Sequence, residues 1–139
     1  MESVCSYFKI IIRSFGWSQL TIRLYDRELI EFVTKIYKFS NYDLSGCNIL
    51  SDSILKNLQH CTNLNLFGCF GVTDKNIKYL SNCHKLHLYG VEVTDEGLKC
   101  LKECLEVNIY GASEITYQGV LNLENYSKFR FYNCKQINI

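Results

Sequence analysis

Eight cysteines and three histidines are the residues of this 139-residue chain best suited to chemistry. A cysteine thiolate is a nucleophile and a metal ligand, and a neutral imidazole is a base and a ligand. His60-Cys61 and Cys83-His84 together offer four nitrogen and sulfur donors, a plausible zinc set. Their spacing lacks a short C-x2-C knuckle. A nucleophilic cysteine needs a depressed pKa and a base beside it in space. His84 adjoins Cys83, but neighbours on an extended chain point to opposite faces. Cys100 and Cys104 are one helical turn apart, where packing in the core is the simpler role. There is no Ser-His-Asp order, no P-loop, no dinucleotide-binding glycine signature and no His-Glu zinc helix. Thr73-Asp74 and Thr94-Asp95 recur at expected helix starts, which favours N-caps over a carboxylate pair. Asn125-Tyr126-Ser127 is a formal glycosylation sequon that matters only on export. The chain is therefore expected not to be an enzyme, with no catalytic residue, no bound metal and no cofactor.

The elements that place these residues follow from an internal period. Leu64-Asn65-Leu66-Phe67-Gly68-Cys69 leads to Val72-Thr73-Asp74, then Ile77 and Leu80. Leu86-His87-Leu88-Tyr89-Gly90 leads to Val93-Thr94-Asp95, then Gly97-Leu98 and Leu101. Tyr42 to Cys47 and Val107 to Gly111 open two further copies, and Ile22 to Tyr25 and Phe129 to Cys134 two weaker ones. The second apolar position falls at 24, 44, 66, 88, 109 and 131, so the period is 20–22 residues. In each copy an apolar-x-apolar piece has the period of a strand. A Gly or Asn turn follows, then a Ser/Thr cap and a short helical stripe. Strand, turn and helix repeated in one direction build a parallel sheet with helices on its outer side. Stacked copies share one core that no single copy can form.

The Cys61-Thr62-Asn63-Leu64 start, the Leu64 to Cys69 strand and turn, and the Val93 to Leu98 stretch resemble the leucine-rich-repeat family. The subtype is the cysteine-containing one of F-box and leucine-rich-repeat proteins, and the likeness spans roughly residues 20–139. It implies an α/β fold: a right-handed solenoid with a parallel concave sheet and short helices on the convex side. It also implies a non-catalytic protein-interaction module, a substrate-recognition or adaptor element of a cullin-type ubiquitin-ligase assembly whose F-box comes from elsewhere.

In this frame Cys47, Cys69 and Cys134 share one column, with Val91 and Ala112 in other copies. Cys61, Cys83 and Cys104 share another, with Phe39 and Tyr126. Substitutes that are apolar or small mark cysteine as a small buried hydrophobe. Alternation sends three other columns out of the sheet. The first is Thr21, Asn41, Asn63, Lys85, Glu106 and Lys128. The second is Arg23, Asp43, Asn65, His87, Asn108 and Arg130. The third, Tyr25, Ser45, Phe67, Tyr89, Tyr110 and Tyr132, predicts a continuous aromatic ladder. Exposed rings backed by cations are the composition of a binding surface. The candidate site is thus Tyr25, Phe67, Tyr89, Tyr110 and Tyr132 with Arg23, His87 and Arg130.

The mixed charge along these columns points to a protein partner and disfavours nucleic acid, and the net charge of +1 excludes a polyanion binder relying on bulk charge. A hydrophobic fraction of 47% excludes wholesale disorder, and the absence of Pro excludes polyproline segments. Residues 1–18 carry Val4, Phe8, Ile11, Ile12 and Phe15 at helical spacing, which predicts an N-terminal capping helix and neither a signal peptide nor a membrane span. The expectation is one intracellular domain over 1–139, about six copies over 19–139, with reduced thiols. Asn138 falls at a cap position, so the last copy is expected to lack its helix. The expectation is that strand Phe129 to Tyr132 is covered by a partner or a second copy, or belongs to a longer protein. Two other functions stay open: a structural subunit or assembly factor docking through that end, and a metal-binding or Cys-dependent protein.

Overall fold

The computed structural model describes residues 20–48, 50–123 and 128–137. Strands β1 (Thr21–Arg23), β2 (Asn41–Asp43), β3 (Asn63–Leu66), β4 (Lys85–Tyr89), β5 (Glu106–Tyr110) and β6 (Phe129–Tyr132) form one open sheet. All neighbours are parallel and the strand order is the chain order. Parallel neighbours need a crossover, and four of the five here carry a short α-helix. These are α1 (Arg27–Ile36), α2 (Asp52–Asn57), α3 (Asp95–Leu98) and α4 (Tyr117–Leu121). Between β3 and β4 a 3-10 turn, Ile77–Leu80, takes the helix's place, and a second, Lys99–Leu101, continues α3.

The strands form because their apolar residues alternate and have a helix layer to bury against. Leu64, Leu66, Leu86, Leu88, Val107 and Ile109 lie in one core with Ile54, Leu58, Ile77, Leu80, Leu98 and Leu101. Each such side chain contributes about 1.5–3 kcal/mol on burial. The register pairs Leu64 with Leu86, Leu86 with Val107 and Val107 with Phe129. Residues aligned by the 20–22-residue period are thus hydrogen-bonded neighbours in the sheet. The turns after β2 to β6 each take a left-handed backbone, as at Gly90 with φ +61 and Asn133 with φ 52.

The helix starts depart in part from expectation. Asp26, Ser51, Thr94 and Thr116 cap α1, α2, α3 and α4 through their side-chain oxygens. Thr73 does not act as a helix cap: Asn76 Oδ1 accepts the Thr73 N–H, and the 3-10 turn that follows has no side-chain cap. Asp74 and Asp95 each bind the threonine 20 or 21 residues further along the chain. The Asp74 carboxylate accepts the Thr94 N–H at 2.9 Å and its hydroxyl at 2.7 Å. Asp95 accepts the same pair from Thr116 at 2.8 and 2.7 Å. This seating explains two glycines. A Cβ on Gly97 would lie 2.2 Å from Asp74 Oδ1, and one on Gly119 would lie 2.0 Å from the Asp95 carboxyl. Thr and Gly of one copy cradle the Asp of the copy before.

The expected capping helix over 1–18, Tyr126 with the sequon, and Asn138-Ile139 lie outside the described residues. Among the described residues, no helix is long and apolar enough to cross a membrane.

Candidate interaction surface

The thiols sit mainly in the core, whereas His60 and His87 are half-buried and His84 is exposed. Cys47, Cys61, Cys69, Cys83, Cys104 and Cys134 are buried and carry free thiols. Cys47 Sγ donates to Leu24 O at 3.0 Å and Cys69 Sγ to Leu44 O at 2.9 Å, one strand back. Burial pushes the Cys69 and Cys83 thiols up to about 12 and Cys104 up to about 11. At neutral pH they stay protonated, the inert form of a cysteine. Burial, with Lys38 nearby, lowers the His60 pKa, and among the described residues His60 Nε2 has no hydrogen-bond partner. Cys83 is buried while His84 is exposed, so this adjacent pair does not converge. Among the described residues, no three His, Cys, Asp or Glu side chains are grouped to hold a metal ion.

The other face of the strands holds the candidate residues, and it divides in two. At the β1–β2 end Arg23 Nη2 lies 2.8 Å from Asp43 Oδ2. Asn63 Nδ2 donates to Asn41 Oδ1 at 2.7 Å on the neighbouring strand. Burial alone would raise the Asp43 carboxyl, but hydrogen bonds from Ser45 and Arg23 outweigh it and hold it below the usual range. Asn41, Asp43 and Asn108 are buried, which corrects the expectation that the first two columns are exposed throughout. Strands about 4.8 Å apart let longer neighbours cover short polar side chains. Asp43 Oδ1 accepts the Ser45 N–H at 3.1 Å and Asn65 Oδ1 the Phe67 N–H at 3.0 Å. These second-column side chains thereby fix the turn that presents the third column.

The rings gather toward the β4–β6 end. Phe67 meets Tyr89 at 5.0 Å and Tyr110 at 5.2 Å between centroids. Tyr110 stacks on Tyr132 at 4.5 Å and 12°. The expected ladder is therefore not continuous: Tyr89 leans to Phe70 at 6.1 Å, and Ser45 occupies the column between Tyr25 and Phe67. Tyr25 stands 65% exposed beside Arg23. Phe67, Tyr89 and Tyr132 remain exposed, and Tyr110 is half-buried. Contact between rings has left much of their surface in water.

Beside the stacked pair runs an open groove of about 490 Å³, between His87 at one side and Arg130 and Lys128 at the other. Its carboxylate, Glu106, accepts from Asn108 Nδ2 at 3.2 Å and lies 3.3 Å from Lys85 Nζ. Those two partners hold Glu106 below the usual carboxylate range. Asn108 Nδ2 also lies 3.5 Å from His87 Nδ1.

The structure thus groups Phe67, Tyr89, Tyr110 and Tyr132 in one cluster, places His87, Arg130 and Tyr132 on one groove, and leaves Arg23 and Tyr25 at the opposite end of the sheet. Two residues of the surface were missed in the sequence. Phe70 is 45% exposed and Leu105, on the groove rim, 66%. Both carry a signal within the period: Phe70 aligns with Asn48, Glu92 and Ser113, and Leu105 with Ser40, Thr62 and His84. Phe70 is the one large apolar residue in its column, and Leu105 shares its otherwise polar column with Leu20. No protein-family model and no curated protein sequence matches the chain.

Proposed function

We propose that the chain is a leucine-rich-repeat solenoid that works as a non-catalytic protein-interaction module through the open face of its sheet. The observation that carries this reading is the ring cluster. Phe67, Tyr89, Tyr110 and Tyr132 touch one another yet stay partly in water, beside a groove edged by cations. Aromatic anchors next to arginine are where binding energy concentrates in protein interfaces. Strand neighbours that coincide with the sequence period support the repeat reading. The buried, protonated cysteines are accounted for as packing, and seven free thiols among the described residues fit a reducing intracellular setting. By the resemblance, the module would serve as a substrate-recognition or adaptor element of a ubiquitin-ligase-like assembly.

The test replaces Tyr89 and Tyr110 together by Ala and compares partner capture and thermal melting with the unaltered chain. Loss of capture with melting largely retained is expected. Unchanged capture would show that the rings are not the binding surface.

A further inference from the structure

Helix α1 carries more apolar surface than the core takes up. Ile30, Val33 and Thr34 are buried, yet Leu29, Phe32 and Ile36 stand 39%, 40% and 53% exposed. Those three fall at i, i+3 and i+7, one stripe along a helix. The stripe does not look toward the next copy. Glu31 Oε1 on α1 accepts from Ser53 Oγ of α2 at 3.4 Å, which marks the flank that meets α2. Leu29 and Ile36 lie about 140–160° round the helix from Glu31. They look the other way, past the end of the sheet, where among the described residues β1 has a strand, β2, on one side alone. Helices α2 and α3, with a neighbour on each side, expose no large apolar side chain.

The chain itself supplies an occupant at this end. It enters β1 at Thr21, which pairs with Asn41, five residues after Ile36. The residues before β1 therefore join the fold beside the Ile36 end of the stripe. They carry Val4, Phe8, Ile11 and Phe15 at helical spacing. We infer that residues 1–18 are a helix whose apolar side, with Phe8 and Ile11 at its middle, docks on Leu29, Phe32 and Ile36. It lies beside α1 as α1 lies beside α2. A helix of that length reaches about 27 Å, enough to cover α1 at about 15 Å. The competing occupant is a second copy offering Tyr117 and Leu121, exposed on α4 at the other end of the sheet. Two such small patches fall far short of the about 800 Å² that each partner buries in a stable complex. A tethered segment needs less contact, because the tether gives it a high effective concentration. Docked there, it covers the β1 end and works against end-to-end association of chains.

The experiment places a photoreactive benzophenone analogue of phenylalanine at Phe32 of the full chain, irradiates it and maps the cross-links by mass spectrometry. Cross-links to residues 1–18 in a product of monomer mass are expected. The same analogue in place of Glu31, on the flank that meets α2, should give little of that product. Phe8→Asp combined with Ile11→Asp should cut the Phe32 product at least about tenfold, since carboxylates do not enter an apolar contact. Ser6→Asp, off the stripe, should leave it unchanged; circular dichroism checks that each variant is folded. Absence of any cross-link to residues 1–18 overturns the docking, and so does a product that survives the double Asp substitution. A product of dimer mass mapped to Tyr117 or Leu121 assigns the stripe to a second copy and overturns it as well. The double Asp variant should also sediment faster than the unaltered chain. Unchanged sedimentation with the cross-link lost leaves the docking standing and overturns its guarding of the β1 end.

Discussion

Leu64 and Leu66 are 2% and 0% exposed, while Asn63 and Phe67 on the same stretch of chain stand in solvent. The packed face is continuous from β1 to β6, mostly Leu, Ile and Val, with Tyr42 on β2 and Phe129 on β6 in the same layer. The open face is not. Its β1–β2 end closes on itself through Arg23–Asp43 and Asn63–Asn41, and its β4–β6 end leaves rings and cations toward water. The packed face has one job, burial, and a large apolar residue meets it on every strand. On the open face the residues differ from copy to copy because stability asks little of them. That freedom is what a binding surface uses.

Substitutions on each face sharpen this contrast. Leu66→Ala empties a fully buried site and should lower the unfolding free energy in urea by about 2–5 kcal/mol. An effect below about 1 kcal/mol there would mean that the packed layer is not a shared core. Gly119→Ala drives a methyl into the Asp95 carboxyl and should cost about 1–3 kcal/mol. Combining it with Asp95→Ala should recover part of that loss, because the clashing group and its tie to Thr116 disappear together. Additive losses in this double-mutant cycle would show that the two residues do not meet.

Acid should test the ion pair at the β1–β2 end of the open face. The folded state holds the Asp43 carboxyl below its ordinary range, so the unfolded chain binds the proton more readily. The Asp43 contribution is complete above the ordinary carboxylate range and fades as pH falls through the lowered folded value. Arg23 is largely in solvent, which screens the pair, so the contribution is small. Asp43→Asn should flatten that part of the stability profile, and an unchanged slope would show that the pair does not stabilise the fold.

The strand register, the buried cysteine columns and three of the caps were legible because each depends on local pattern and period. Leu64, Leu86 and Val107 announce their pairing by type and spacing. The Asp74–Thr94 and Asp95–Thr116 ties were not legible, since an acidic residue after a Ser/Thr reads equally well as a partner of its own helix start. Burial of Asn41, Asp43 and Asn108 depends on what neighbouring strands lay over them, which no single strand encodes. For the site, the third column was legible as rings. Which ring leans on which was not: the turn at Phe70 draws Tyr89 aside, and the gap at Ser45 leaves Tyr25 at the other end.

The most direct measurement is a double-mutant cycle of Tyr110→Ala and Tyr132→Ala, followed by urea unfolding with Leu66→Ala alongside. The two rings stack at 4.5 Å but stand partly in water, so their coupling should be about 0.5 kcal/mol. Together the two substitutions should cost far less than Leu66→Ala alone. A combined loss as large as that of Leu66→Ala would contradict the division into a packed face for stability and an open face for binding, and would make the rings part of what holds the sheet together.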